Sequence, residues 1–486
     1  MQLEILHGRE TAIEKETFNL GNLTVVEPTV KSLKGILEKA HAIRRRLMEI
    51  PISRRLEILG LIGKKWHEKV RRGELNNIRR KLSEKTGYSE KLIDLEFKFV
   101  SILFNNDNIL SNIEVGLPGG VKAIDSFIEF RPGEYVRHVP IGTVFIIGAG
   151  NSFIPPLIPT CISLAMGNVT VLKPSIANHL GVIEVYRLLL DLADEYPEAE
   201  VLSNAILIAY MRHNSEALRY LLEKAPVDLV NFWGGEPART IIAEKVARNP
   251  HKPKFMVNGP LTGYAVVGSG VDLDKAADDL ALNIVLYDQQ LCSSPTEATF
   301  IGSYEELIEF ASKVGLRLNG YSEKFPLKLD DSERYLVHSV RRALTFEECE
   351  VFTPDNGDIS WTIVVSKDKP VLDKVIEFFP EYQLHVRKRF IEIVSVNTVD
   401  QAIKLIENIP HRETFKEVDG VQTVGYALPE KDAEAFISNL CKLRVYRIVP
   451  LRDMYMRSAI EPFDGMYLAR ELTYSIYLRR REVGVI

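Results

Sequence analysis

The chain has 486 residues, of which 46% are hydrophobic and 26% charged, enough to build two or three domains with ordinary cores. Its net charge of -5 argues against a general nucleic-acid binder, which would carry a basic excess. Four irregularly spaced cysteines make neither a disulfide framework nor a CxxC metal pattern, which fits a reducing, cytoplasmic setting.

The first segment, MQLEILHGRE, has charges where a signal peptide needs an apolar stretch, and no run of eighteen apolar residues predicts a membrane span. Val30 to Ile50 carries Leu33, Ile36, Leu37, Ala40 and Ile43 at helical spacing. Ser53 is the candidate cap of a second helix running to about Val70. Gly116-Leu-Pro-Gly-Gly120 breaks the chain, and Phe127 to Val139, interrupted by Arg131-Pro-Gly133, predicts a strand pair with a turn.

From Gly142 the pattern is β-α-β. Strands are expected at Thr143 to Ile147, Val169 to Leu172, Leu202 to Ile208 and Leu229 to Trp233. Helices are expected from Pro156 to Met166, Leu180 to Ala193 and Pro237 to Val246. A second α/β stretch from about Phe255 has strands at Tyr264 to Val267 and Thr296 to Ile301, and helices at Asp274 to Tyr287 and Tyr304 to Leu316. Alternating strands and helices predict doubly wound parallel sheets.

Chemistry-bearing residues fall at the ends of these elements. Gly148-Ala-Gly-Asn151 closes a strand, where glycines let the backbone approach a ligand and Asn151 offers an amide donor. Its local alternative is a turn residue capping the next helix. Lys173-Pro-Ser175 puts a cation at the same sheet edge, and Gly234-Gly235 precedes a helix N-terminus suited to a pyrophosphate. No GxGxxG fingerprint is present. Cys292, in Asp288-Gln-Gln-Leu-Cys-Ser-Ser-Pro295, occupies a polar turn between helix and strand. A thiolate there can attack a carbonyl, although a lone cysteine is more often a small buried hydrophobe.

In order, these segments resemble the aldehyde dehydrogenase superfamily: a Pro-x-Gly strand leading to Asn151, Gly-Asn before Lys-Pro-Ser, a Phe-x-Gly turn, Val271-Asp-Leu-Asp-Lys-Ala-Ala277, and Gln290-Leu-Cys292 as its Gln-x-Cys motif. The resemblance implies an aldehyde-dehydrogenase-like fold of two doubly wound domains with a β-arm for oligomerisation. The expected cofactor domain covers 1–121 and 141–255, the catalytic domain 256–450, and the arm and tail 122–140 and 451–486. It implies that Cys292 is the nucleophile, and that Asn151 and the Cys292 backbone N–H form the oxyanion hole. Lys173 would meet the cofactor ribose, with Ser175 and Gly148 beside it and the Gly234-Gly235 turn facing its phosphates. A homo-oligomer is a further implication.

Three departures narrow the expectation. Where hydrolytic members carry a base glutamate, counting back from Cys292 without a gap gives Asn258, and an amide cannot act as that base. Ile176 replaces the carboxylate that NAD-preferring relatives often hold near the ribose, which makes NADPH plausible with NADH possible. The family's Glu-x-Phe-Gly-Pro motif has only the poor substitute Tyr382-Gln-Leu-His385. The tail Ile460-Glu-Pro-Phe-Asp-Gly-Met466 is closer to the LuxC family of acyl-CoA reductases, the fatty-acyl reductases of bacterial luminescence. That resemblance implies reduction of a long-chain acyl thioester to the aldehyde, with an acyl-protein synthetase as a possible partner. The alternatives are oxidation of an aldehyde to a CoA ester or acid, and a non-catalytic nucleotide-binding or acyl-carrying subunit. Phe153, Trp233 and Phe463 are candidate tunnel-lining residues, and His138, His385 and His411 candidate proton donors by residue type alone.

Overall fold

The computed structural model describes residues 2–9, 13–384 and 386–481; His385 lies outside them. Contacts divide the chain into two units, Met1–Thr86 with Ile93–Asn258 and Ser458–Ile486, and Gly87–Leu92 with Gly259–Arg457.

The first unit holds a six-stranded sheet in the order Lys254–Asn258, Leu229–Trp233, Thr143–Ile147, Val169–Lys173, Ile206–Ile208, Leu6–His7. Its first five strands run parallel, and Leu6–His7 adds antiparallel at the edge. Thr143–Ile147 and Val169–Lys173 are buried at every position, as parallel strands covered on both faces must be. Below them, Phe145, Val171 and Val230 join Leu33, Ile36 and Leu37 of the helix Val30–Glu49 in one core.

Two local expectations fail for identifiable reasons. Ser53 does not cap the second helix, Ile52–Arg71; Pro51 stands at the cap position with φ -53°, and the Asp125 carboxylate accepts from the Ile52 N–H at 3.1 Å. The orphan donor is satisfied from 73 residues away, which local reading does not see. The expected strand Leu202 to Ile208 is correct only from Ile206 to Ile208; Leu202 to Asn204 form the end of the helix Pro197–Asn204. Pro197 at the first turn, with Glu198 and Glu200 beside it, favours a helix there.

The predicted hairpin forms from Ile128–Arg131 and Glu134–Pro140, and Thr473–Arg479 pairs antiparallel with the latter to complete a three-stranded sheet. A further small sheet, Gln2–Leu3, Leu23–Pro28 and Lys15–Leu20, was not anticipated.

The second unit is built on a seven-stranded sheet ordered Cys349–Phe352, Thr362–Lys367, Phe390–Val396, Pro295–Ile301, Thr262–Gly268, Val421–Ala427, Val445–Pro450. All neighbours are parallel except the antiparallel edge strand Cys349–Phe352. The helix Leu273–Val285 starts at Asp272, whose side chain accepts from Lys275 N at 3.0 Å. It stops short of Tyr287 because Tyr287, Asp288 and Gln289 take left-handed φ values of 56°, 50° and 69°.

Among the described residues, no helix is long and apolar enough to cross a membrane.

Candidate functional site

In the first unit the predicted residues gather at the carboxyl edge of the parallel sheet. The Gly148 N–H donates to the Lys173 carbonyl at 2.9 Å, joining the two loops. A Cβ at Gly148 would come within 2.8 Å of Pro156 Cβ, so the loop can press on the helix Ile154–Met166 only with glycine there. Asn151 is half-buried between two carbonyls, those of Ala149 and Ser152, which accept from Asn178 Nδ2 at 3.2 and 2.7 Å.

Beneath the loop lies Glu96, fully buried, which accepts from the Ser152 hydroxyl and the Phe153 backbone. Burial pushes its carboxyl up to about 8, so it is protonated at neutral pH. Sequence reading passed over Glu96, yet its position on the face shared by Ile93, Phe97 and Val100, all buried, was the available signal. Phe153, a proposed tunnel residue, is instead core: it is fully buried, packs edge-on against Phe97 and abuts Gly181.

Lys173 ends its strand with only 6% exposure. Burial lowers its ammonium to about 8, opposed by the Glu27 carboxylate. Its Nζ lies 5.1 Å from the centre of the Tyr210 ring. Ser175 opens the next helix, its hydroxyl accepting from Asn178 N at 3.3 Å and its carbonyl from His179 N at 3.0 Å. Ile176 packs against Leu3, Val25 and Tyr210. Gly234 donates its N–H to the Asn258 carbonyl at 3.1 Å, and the Gly235 carbonyl accepts from Arg239 N at 3.0 Å.

Asn258 is held on both sides of its amide. Its Oδ1 accepts from Asn231 Nδ2 at 2.9 Å, and its Nδ2 donates to Asp464 at 3.1 Å. Asn231 in turn accepts from Trp233 Nε1 at 2.6 Å, and the Trp233 ring meets Phe463 edge-on at 6.2 Å. Asn258 therefore anchors a turn of the C-terminal segment, where Phe463 bridges Met466. His138 also has a structural place, buried between the Pro118 carbonyl and the Ser475 hydroxyl, while His411 is exposed.

In the second unit Cys292 lies half-buried on a heavily braced loop. Asp288 is buried against Arg389, whose Nε donates at 2.8 Å. Burial pushes the Asp288 carboxyl up, and Arg389 opposes the shift. Arg389 also donates to the Phe325 carbonyl at 2.7 Å. Gln289 spans the loop, donating to the Pro295 carbonyl at 2.7 Å and accepting from Phe390 N at 2.8 Å. Gln290, of the recognised motif, donates to the Arg387 carbonyl at 2.6 Å. Tyr287 packs edge-on against Tyr88 at 5.7 Å.

The loop rests on Gly263, where a Cβ would fall 2.4 and 2.5 Å from the Ser293 and Ser294 carbonyl oxygens. At the sulfur itself, Gln422 Nε2 approaches Cys292 Sγ at 2.9 Å. Nothing in the sequence reading pointed to Gln422; a polar residue inside the buried strand Val421–Ala427 was the only local sign. The other thiols differ: burial raises Cys161 strongly and Cys349 to about 11, while Cys441 is exposed. Tyr382, from the poor substitute motif, is core, fully buried against Phe390.

A family model described as acyl-CoA reductase (LuxC) matches residues 47–475. The chain is 25% identical over 302 residues to long-chain acyl-protein thioester reductase 2 of Photobacterium leiognathi, covering 62% of this chain and 60% of that protein. It is 25% identical over 338 residues to the long-chain acyl-protein thioester reductase of Photobacterium phosphoreum, covering 68% and 65%. These matches thus span less than two thirds of either relative's length. Among solved structures, an NAD-dependent benzaldehyde dehydrogenase from Corynebacterium glutamicum superposes with a TM-score of 0.68 at 15% identity, covering 98% of this chain and 96% of that one. Methylmalonate-semialdehyde dehydrogenase from Oceanimonas doudoroffii does so at 0.70 and 14%, covering 99% and 98%. At such identities the likeness establishes the aldehyde-dehydrogenase fold.

Proposed function

The chain belongs to the acyl-CoA reductase (LuxC) family, and on that premise we propose that it reduces an acyl thioester to the aldehyde through an acyl-Cys292 intermediate. The observation that carries this reading is the fate of position 258. Asn258 is a neutral amide with both ends engaged, so an acyl group on Cys292 meets no base at that position to activate water. Long-chain acyl groups are the favoured substrates, in keeping with the names of the relatives.

Cys292 attacks the thioester carbonyl and the incoming thiol leaves. Asn151 and the Cys292 N–H serve as donors to the oxyanion. A bound nicotinamide cofactor supplies the hydride. The residues of the first unit fit such a group: Lys173 is a buried cation with no ion pair among the described residues, and the Gly148 and Gly234-Gly235 turns bring backbone to the same sheet edge. Ser175 stands beside them. NADPH is the favoured form, because Ile176 contributes packing and no carboxylate to repel a 2′-phosphate. The relatives' names also support acyl delivery from a protein carrier, as by an acyl-protein synthetase. The exposed Tyr474, Ile476 and Tyr477 of the three-stranded sheet support a homo-oligomer.

The test is mass spectrometry after mixing the protein with acyl-CoAs of graded chain length, alongside NADPH oxidation. The expected result is one acyl adduct on Cys292, and a fall in turnover of at least ~10³-fold in Cys292→Ala. Intact turnover with Cys292 unmodified, or free acid as the main product from aldehyde and NADP+, overturns the reading.

A further inference from the structure

If Asn258 is no base, the thiolate that starts each turnover, and that must depart again at its end, needs other stabilisation. We propose that the side-chain amide of Gln422 is a catalytic hydrogen-bond donor that holds the Cys292 sulfur as thiolate and receives its charge when the aldehyde is released. This deepens the reading of Cys292 as nucleophile and rests on it.

The geometry behind the proposal is a directed chain of donors. Arg447, only 4% exposed on the strand Val445–Pro450, donates from Nη1 to Thr423 Oγ1 at 2.9 Å. The Thr423 hydroxyl points to Gln422 Oε1 at 3.4 Å, and Gln422 Nε2 to Cys292 Sγ at 2.9 Å. Arginine has donors only, so the Thr423 oxygen accepts from it and its proton goes on to Gln422. That contact fixes which end of the amide faces sulfur, and leaves an N–H group there. A buried cation at one end polarises each bond toward the thiolate at the other.

Backbone irregularity aims the side chain. The strand Thr262–Gly268 pairs Thr262 with Val421 and Gly263 with Thr423, so Gln422 is the extra residue of a bulge. The same strand pairs Gly263 with Pro295 and Tyr264 with Glu297 on its other side, a second bulge directly after the Cys292 loop. Bulges re-aim side chains, and these two flank the glycine on which the loop rests. Gln422 is 2% exposed, so water does not compete for its amide.

The chemistry balances as follows. In the first step the Sγ–acyl bond forms and the bond from the acyl carbon to the incoming thiol breaks, its electron pair leaving on that thiol as thiolate. A hydride, which a bound nicotinamide cofactor would supply, and a proton from water would convert the Cys292 thioester to a thiohemiacetal. On collapse the hydroxyl proton goes to water, the C–S bond breaks with its pair on Sγ, and the aldehyde departs. The amide N–H meets more negative charge at the start and end of the cycle than in the acyl state, which is the differential that favours both steps. The charged and titratable groups on the elements packed around the loop include Asp288 paired with Arg389, Glu297 paired with Arg412, Tyr264 beside Glu297, Arg387, Arg447 and the exposed Asp419.

The experiment measures the rate of Cys292 alkylation by iodoacetamide against pH in the substrate-free protein, with peptide mass spectrometry to restrict the reading to Cys292. Gln422→Met keeps the volume and removes the donor. The expected result is a midpoint about one pH unit higher than in the parent. The matching drop in kcat is about ten-fold, with KM for acyl-CoA unchanged. Gln422→Glu moves the midpoint further up, and Thr423→Val moves it part of the way. An unchanged midpoint in folded Gln422→Met, or an equal effect of Gln422→Met and Gln422→Asn on KM alone, overturns the proposal. An acyl adduct without a midpoint shift removes the donor role and leaves the reductase reading; a midpoint shift without any acyl adduct does the reverse.

Discussion

The two units present their reactive loops from opposite ends of their sheets. In the first, Asn151, Lys173 and Gly234 lie at or just beyond the carboxyl ends of Thr143–Ile147, Val169–Lys173 and Leu229–Trp233. In the second, Cys292 precedes Pro295–Ile301 and Gln422 is the second residue of Val421–Ala427, so both stand at the amino edge. A carboxyl edge comes with helix N-termini and backbone donors ready to meet a ligand. An amino edge does not, and there side chains must hold the loop in shape. The bracing differs accordingly. Asn178 and a protonated Glu96 support the Asn151 loop without net charge, whereas the Cys292 loop hangs on the buried ion pair Asp288–Arg389 and on two glutamines.

The sharpest way to break this contrast is Arg389→Met. It leaves Asp288 buried without its partner and frees the left-handed turn before Cys292. A stability loss of about 3–5 kcal/mol in urea unfolding is expected. Near-parental stability would mean that the ion pair does not brace the loop. Arg389→Met together with Asp288→Leu should recover part of the loss, since both charges are then gone.

Next in size is Glu96→Gln. The folded-state value of Glu96 lies above its unfolded one, so its contribution is fully present below the unfolded value and fades as pH rises toward about 8. The parent should therefore lose stability between about pH 4.5 and 8, by up to about 1.4 kcal/mol per pH unit. The amide variant should lose that component. Thermal melts of both across this window decide it, and parallel curves would show Glu96 to be ionised in the fold.

The smallest effect concerns Lys173. Its ammonium titrates near 8, so the charge offered to a cofactor is present below that value and lost above it. Cofactor affinity, followed by nicotinamide fluorescence, should weaken about ten-fold from pH 7 to 9 in the parent. Lys173→Arg, which keeps its charge, should flatten the profile.

Much of this was legible in the chain, and what was not has a common cause. Thr143–Ile147 and Leu229–Trp233 were read to the residue because buried parallel strands are short apolar runs bounded by glycine and proline. The strands Lys15–Leu20 and Leu23–Pro28 escaped because neither shows an alternation of buried and exposed residues: the first is mostly exposed and the second buried from Val25 to Pro28. The ordered motifs located Asn151, Lys173 and Cys292, which sit next to strands. They could not reveal Gln422, 130 residues from the sulfur it approaches, or Asp125, which caps a helix 73 residues earlier. Neither could they show Asp288 and Arg389 as a pair, since their separation of 101 residues is bridged only by the folded sheet. Asn258 was picked out from its spacing to Cys292, but its tie to Asp464 was invisible until the tail was seen beside it.

That tie also gives the protein an optical handle. The chain has three tryptophans, and Trp66 and Trp361 are buried at 0% and 3% exposure. Trp233 alone is half-buried, with its indole N–H engaged by Asn231 and its ring against Phe463 of the C-terminal turn. Acrylamide quenching of intrinsic emission therefore reads out, without any label, whether the end of the chain is seated on the sheet that carries Asn258.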